Sequence, residues 1–116
     1  MKKSNKIAIL LPYKEIYSTN FSGAASIWVK DYLKKSNLSN RTLVYGYLQK
    51  KLKPLTKNFR NLLLEGRFFS KSKKYAENFL YECKKNKFGI IEIHNRAETL
   101  NYLIENNIDS KLIFIF

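Results

Sequence analysis

The sequence predicts an α/β domain with a doubly wound, Rossmann-like and mostly parallel sheet. Short apolar segments of strand character alternate along the chain with amphipathic segments of helical periodicity. Polar residues also stand where two of the predicted strands lead into helices, at the edge where parallel sheets bind ligands. Because the chain has 116 residues, it has room for one domain and one core.

The first half of the chain contains two predicted strands and one predicted helix. The nearly continuous apolar run from Lys6 to Leu11 is typical of a strand buried on both faces, so we expect it at the centre of the sheet. Ser22 is a predicted N-cap for a helix whose amphipathic run covers 26–35. Its expected core positions are Ala25, Trp28, Val29, Tyr32 and Leu33. Residues 41–47 are rich in β-branched and aromatic side chains and predict the second strand.

The middle of the chain, residues 48–70, has weaker periodicity. Pro54 excludes a helix through it, because proline lacks the backbone N–H and clashes with the preceding turn. We predict a long irregular or partly helical excursion, and loops of that length in compact domains are usually functional or mobile.

The second half of the chain predicts two helices and two strands. A helix opens at Ser72 and ends near Gly89, and its buried stripe comprises Tyr75, Ala76, Phe79, Leu80 and Cys83. Residues 89–94 form the third strand. Asn95, with Glu98 three residues later, predicts the N-cap of a third helix. The apolar face of that helix comprises Leu100, Leu103 and Ile104. Residues 111–116 form the fourth main strand, after which we expect the domain to be cut short.

The chain carries a net charge of +13, much of it in residues 48–74, here called the basic segment. That segment holds nine basic residues and one acidic residue, which gives it a net charge of +8. It is a candidate surface for phosphate groups, nucleic acid or an acidic membrane face. A general lysine bias of the composition explains the same excess equally well.

Several classes of protein and site are excluded by simple counts. The apolar run before Pro12 is too short for a secretory signal, and no apolar run approaches the length of a membrane span, so we expect a cytoplasmic protein. One cysteine, Cys83, and one histidine, His94, cannot form a disulfide or a zinc site by themselves. Cys83 and Trp28 both stand at core spacing, where we expect them to be buried and without chemical roles.

Two strand-to-helix junctions supply the candidate site residues. The first contains Ser22, Gly23 and Ala24, where backbone amides at a helix start attract anions. It lacks both the G-x-G-x-x-G and the G-K-[ST] phosphate-binding patterns. At the second junction, His94 is a candidate hydrogen-bonding group or base and Arg96 a candidate anion ligand. The alternative makes His94 a satisfied strand-end residue and leaves Arg96 solvated. Glu92 faces either the site or a sheet edge.

These junctions together carry a family resemblance. The first strand through Pro12, the small residues 22–25 opening a helix, and residues 90–96 resemble the N-terminal half of GT-B glycosyltransferases, particularly glycosyltransferase family 4. In that family the N-terminal domain recognises mostly the acceptor and a second domain binds the nucleotide-sugar donor. The resemblance implies that residues 1–116 are the Rossmann-like acceptor-side domain, that the donor-binding domain is absent, and that this chain alone is not catalytic.

The resemblance also assigns roles. His94 is the expected catalytic residue, no cofactor or metal is expected, and the substrates are a nucleotide-sugar and a saccharide or lipid-linked acceptor. The expected substrate-binding residues are Ser22, Gly23, Ala24, Asn95 and Arg96. The basic segment would guide an anionic acceptor or contact the inner face of a membrane.

A different class of function remains open for the basic segment. In this alternative the chain is a non-enzymatic α/β module that binds nucleic acid or another polyanion. Aromatic residues alternate with the basic ones and would stack on bases, namely Phe59, Phe68, Phe69 and Tyr75. No recognised nucleic-acid motif accompanies them.

Overall fold

The computed structural model describes residues 5–19, 23–64, 70–94 and 96–115. The strands are β1 (Ile7–Leu10), β2 (Thr42–Gly46), β3 (Phe59–Asn61), β4 (Ile90–His94) and β5 (Lys111–Ile115). The helices are α1 (Ala24–Lys35), α2 (Lys71–Asn86) and α3 (Ala97–Glu105), with a 3-10 turn at Ser39–Arg41.

The five strands form one sheet in the order β3-β2-β1-β4-β5, and every neighbouring pair is parallel. This confirms the predicted α/β, Rossmann-like fold. β1 lies at the centre, as expected for a strand whose four residues are all buried. The order reverses at β1, because β2 and β3 lie on one side of it and β4 and β5 on the other.

The sheet has an apolar cluster on each face. On one face, Ala8 and Leu10 pack with α2 and α3 residues such as Phe79 and Leu103. On the other face, Ile9 of β1 packs with Val29 and Leu33 of α1. All five α2 residues predicted as a stripe are buried, so that prediction is confirmed.

Three predicted core residues are exposed instead. Trp28 is 47% exposed and stacks on Tyr32, which is 39% exposed, and Ile104 of α3 is 56% exposed. The expectation that Trp28, Tyr32 and Ile104 are core residues is therefore wrong. Helical periodicity gives the spacing of an apolar stripe, but the width of the surface beneath the helix decides how much of the stripe is covered.

Several element ends also differ from the predictions. The excursion contains β3, a three-residue strand that pairs with β2. α2 begins after Ser70, whose hydroxyl accepts a bond from the Lys73 amide, and the left-handed position at its end is taken by Lys87 at φ 54° rather than by Gly89. α3 begins at Ala97 with Arg96 at the N-cap position. The predicted N-caps Ser22 and Asn95 lie outside the described residues.

Candidate functional site

The candidate site lies at the carboxyl edge of the sheet, where the strand order reverses between β1 and β4. The connections that leave these two strands diverge there and leave a crevice, which is the usual ligand site of open parallel sheets. A cavity of about 400 Å³ opens at this point. Here called the crevice cavity, it is lined by Pro12, Glu15, Ala24, Ala25, Trp28, His94 and Ile115.

A second cavity lies beside it, between the loop after β1 and the segment after β2. Its volume is about 540 Å³. It is lined by Tyr13, Lys14, Glu15, Ile16, Tyr47, Leu48, Gln49, Lys51 and Leu52. Glu15 lines both cavities. Both volumes are in the range that holds small ligands.

Glu15 caps the first turn of α1. Its Oε2 accepts a hydrogen bond from the Ser26 backbone N–H at 3.0 Å and lies 2.6 Å from the Ser26 hydroxyl. Gly23 occupies the N-cap position and has no side chain with which to do so. A carboxylate at a helix N-terminus is stabilised by the unpaired amides and by the helix dipole. The place where an anionic ligand would meet this helix is therefore occupied by a side chain of the protein itself.

The position of Gly23 explains why glycine stands there. A Cβ atom on this residue would lie 2.2 Å from Glu15 Oε2 and 2.6 Å from Oε1. Its φ of −81° is accessible to any residue, so the requirement is one of space rather than of backbone conformation. Gly23 and Glu15 thus form one unit that fixes the start of α1.

His94 is the last residue of β4 and is 4% exposed. Its Nε2 lies 3.3 Å from Glu92 Oε1, and no described group forms a hydrogen bond with it. The ring also contacts the Trp28 indole, with centroids 5.4 Å apart and an angle of 59° between the planes. Glu92 lies on an interior strand, between β1 and β5, so the sheet-edge alternative for it is wrong.

The loop between β1 and α1 is fixed to its surroundings at several points. Tyr17 is buried, its backbone carbonyl accepts a bond from the Leu55 amide at 3.2 Å, and its hydroxyl lies 2.9 Å from Thr56 Oγ1. At the end of β1, the buried Tyr75 hydroxyl donates to the Leu11 carbonyl at 2.7 Å. Such anchoring holds both cavities in one shape, which favours ligand binding.

The structure brings together only some of the predicted site residues. Ala24 and His94 line the crevice cavity, and Gly23 lies next to them at the start of α1. Arg96 does not line either cavity described above. It lies close enough to Tyr75 for its charge to lower the pKa of that hydroxyl, against a larger increase caused by burial. The predicted binding residues Ser22 and Asn95 lie outside the described residues.

Two residues of the crevice cavity were assigned no role at the sequence level. Trp28 has core spacing, and Glu15 is one of several polar residues in the loop after β1, so neither residue stands out in the sequence. Glu15 acts on Ser26, eleven positions away, whereas local capping patterns connect residues three positions apart. The sequence does contain one signal for this role of Glu15. Gly23, at the start of α1, has no side chain that could cap the helix, and an acidic residue precedes it in the same loop.

The described residues give no support for metal or thiol chemistry. They contain no group of three or more His, Cys, Asp or Glu side chains arranged to hold a metal ion. Burial, together with the nearby Glu82 charge, raises the pKa of the Cys83 thiol to about 12. Cys83 is buried, as its core spacing predicted, and such an environment keeps a thiol protonated at neutral pH. In the part of the chain that is described, no helix has the length and apolarity needed to cross a bilayer.

Three lysines of the basic segment line three different cavities. Lys51 lines the cavity beside β2, Lys57 lines a groove near α1, and Lys73 lines a third cavity between α2 and α3. Of the aromatic residues considered for base stacking, Tyr75 is fully buried and Phe59 stacks on Tyr17. Phe68 and Phe69 lie outside the described residues.

Comparisons with protein-family models, with curated proteins and with solved structures found no match for this chain.

Proposed function

We propose that this chain is the acceptor-side domain of a GT-B-like glycosyltransferase, an enzyme that moves a sugar from a nucleotide-sugar donor to an acceptor hydroxyl. The supporting observation is the crevice cavity, which combines an exposed indole, a carboxylate and a buried imidazole at the reversal of strand order. In the family that the sequence resembles, a second domain binds the donor. The proposal for these 116 residues therefore concerns acceptor binding, and we expect no turnover from this chain alone.

The lining of the crevice cavity suits a neutral, hydroxyl-bearing ring. The exposed face of Trp28 offers an apolar platform for the ring, and the Glu15 carboxylate accepts hydrogen bonds from hydroxyl groups. Because Glu15 already occupies the first turn of α1, the cavity favours a hydroxyl group over a phosphate at that point. We accordingly propose that the start of α1 contacts the acceptor.

His94 is the proposed catalytic residue. In the transfer, a bond forms between the acceptor oxygen and the anomeric carbon, the bond from that carbon to the diphosphate breaks, and the hydroxyl proton goes to the imidazole. Glu92, 3.3 Å from Nε2, stabilises the imidazolium that results. Holding the hydroxyl near His94 also lowers the entropic part of the barrier.

Trp28 provides a direct test, because it is the single tryptophan of the chain and it lines the cavity. The experiment titrates glucose, galactose and N-acetylglucosamine into the protein and follows the Trp28 emission. We expect a saturable change with at least one of these sugars. Glu15→Gln and His94→Gln each alter one hydrogen-bonding partner of the sugar, so we expect each variant to bind it about tenfold more weakly.

Glu98→Gln is the matched control, since Glu98 stands in the first turn of α3 and lines a different cavity. It should bind as the unmodified protein does. Emission that does not change with any of the three sugars, or that changes equally in all variants, would refute the proposed function.

A further inference from the structure

A groove at the amino edge of the sheet lies away from the crevice cavity. It runs between the last turns of α1, the turn before β2 and the segment before β3, and its volume is about 380 Å³. Its lining comprises Lys30, Leu33, Lys34, Ser39, Asn40, Leu55, Thr56, Lys57 and Asn58. All three ionisable side chains in this lining are lysines, so the groove is uniformly positive at neutral pH.

The three lysines of this groove have no carboxylate partner among the described residues: no carboxylate there lies within salt-bridge distance of Lys30, Lys34 or Lys57. Lys30 and Lys34 are four residues apart on α1, a spacing at which like charges repel each other. An anion in the groove would remove this repulsion, and none of the described lining residues can do so.

The position of Lys57 is fixed by its neighbours. The Tyr17 hydroxyl lies 2.9 Å from Thr56 Oγ1, which donates to Asn58 Oδ1 at 2.5 Å. The Asn58 amide in turn donates to the Thr42 carbonyl at 2.8 Å. These bonds connect the turn that carries Lys57 to a buried tyrosine and to β2. This turn is therefore anchored where Lys57 lines the same groove as Lys30 and Lys34.

We propose that this amino-edge groove binds a phosphate group, carried by a small molecule or by a lipid headgroup. Ammonium groups bind phosphate as point charges, and three of them around one concave site can surround a single phosphate or diphosphate. The polar groups of Ser39 and Asn40 supply further hydrogen bonds at the rim. The groove is formed by the opposite edge of the sheet from the crevice cavity, so this proposal is independent of the proposed glycosyltransferase function.

The test compares two triple variants of equal charge. The groove variant replaces Lys30, Lys34 and Lys57 with glutamine. The control variant replaces Lys84, Lys85 and Lys111, which are exposed and line none of the cavities described here. The groove set removes one lysine from the last turn of a helix and the control set removes two, so the control carries at least as large a loss of helix stability. Far-UV circular dichroism confirms that each variant is folded.

Isothermal titration calorimetry at low salt then measures the binding of inorganic pyrophosphate. We expect the groove variant to bind about tenfold more weakly or worse, and the control variant to bind within about twofold of the unmodified protein. A second arm measures sedimentation with vesicles of phosphatidylcholine containing phosphatidylglycerol. If the unmodified protein binds vesicles but not pyrophosphate, and only the groove variant loses vesicle binding, the phosphate is that of a lipid headgroup.

Two results would overturn the proposal. One is the absence of binding to both pyrophosphate and vesicles. The other is an equal loss of pyrophosphate or vesicle binding in the two triple variants. Binding to single-stranded polyuridylate, measured alongside, would then also fall equally in both variants, because such an outcome shows a response to net charge alone.

Discussion

Removal of the Glu15 side chain should destabilise the start of α1 by an amount that the structure allows us to estimate. Glu15→Ala removes the acceptor of the Ser26 N–H and the negative charge at the helix N-terminus. Loss of a cap costs about 1 kcal/mol, loss of the favourable dipole interaction about 0.5 kcal/mol, and the buried amide is left without its partner. We expect the free energy of unfolding to fall by about 2 kcal/mol, which is a decrease in Tm of roughly 8 °C.

Gly23→Ala should act through the same contact. The added methyl group would lie 2.2 Å from Glu15 Oε2, so the carboxylate must leave the helix start. We expect a loss of about 1–2 kcal/mol in the unmodified protein, because the same cap is removed. In a Glu15→Ala background the space is empty, and the second substitution should change the unfolding free energy by less than about 0.5 kcal/mol.

The assay is urea unfolding of the four proteins of this cycle, followed both by Trp28 emission and by far-UV circular dichroism. Glu98→Ala is the control, because Glu98 also stands in a helical first turn but Arg96, the described N-cap residue of α3, forms no side-chain cap bond. Its effect should be much smaller. If the losses from Glu15→Ala and Gly23→Ala add fully in the double variant, the two residues do not form one unit and the explanation for glycine at position 23 is wrong.

Three further predictions concern other parts of the fold. Tyr75→Phe removes the buried hydroxyl that donates to Leu11, so we expect a loss of about 1–2 kcal/mol in chemical denaturation, and an unchanged midpoint would contradict that bond. Cys83 should resist iodoacetamide in the native protein at pH 8, because its raised pKa of about 12 leaves little thiolate. It should react in urea, and rapid native labelling detected by mass spectrometry would show that the thiol is accessible. Lys87→Gly should stabilise the protein by up to about 1 kcal/mol in thermal unfolding, since φ is 54° there, whereas a lower Tm would argue against a left-handed residue at the end of α2.

Sequence patterns predicted the elements whose burial is complete. The all-apolar run of β1 indicated a central strand, and the stripe from Tyr75 to Cys83 indicated the face of α2 that packs on the sheet. The apolar pattern matches the buried positions in both elements, because both faces of β1 and one whole face of α2 are covered. The three residues of β3 include Arg60 and Asn61, both exposed, so this strand has no hydrophobic pattern to detect.

The candidate site was less predictable than the fold. Strand ends indicated the edge of the sheet at which the crevice cavity lies, and His94 lines that cavity. The roles of Glu15 and Trp28 depend on how the loop after β1 folds back on α1, a tertiary arrangement that no local periodicity encodes. The net charge of the basic segment can be read from the sequence. Which cavity each of its lysines lines depends on the paths of the loops, which the sequence pattern does not give.

The strand order has a consequence for folding during synthesis on the ribosome. The central strand pairs on one side with β2 and on the other with β4, which is made about 80 residues later. When residues 1–64 have emerged, β1, β2 and β3 can already pair, yet Leu10 still lacks the α2 side chains that cover it. The nascent chain thus exposes an incomplete sheet with an uncovered apolar face until about another 30 residues have been synthesised. During that interval chaperones can bind this face, or nascent chains can associate through it.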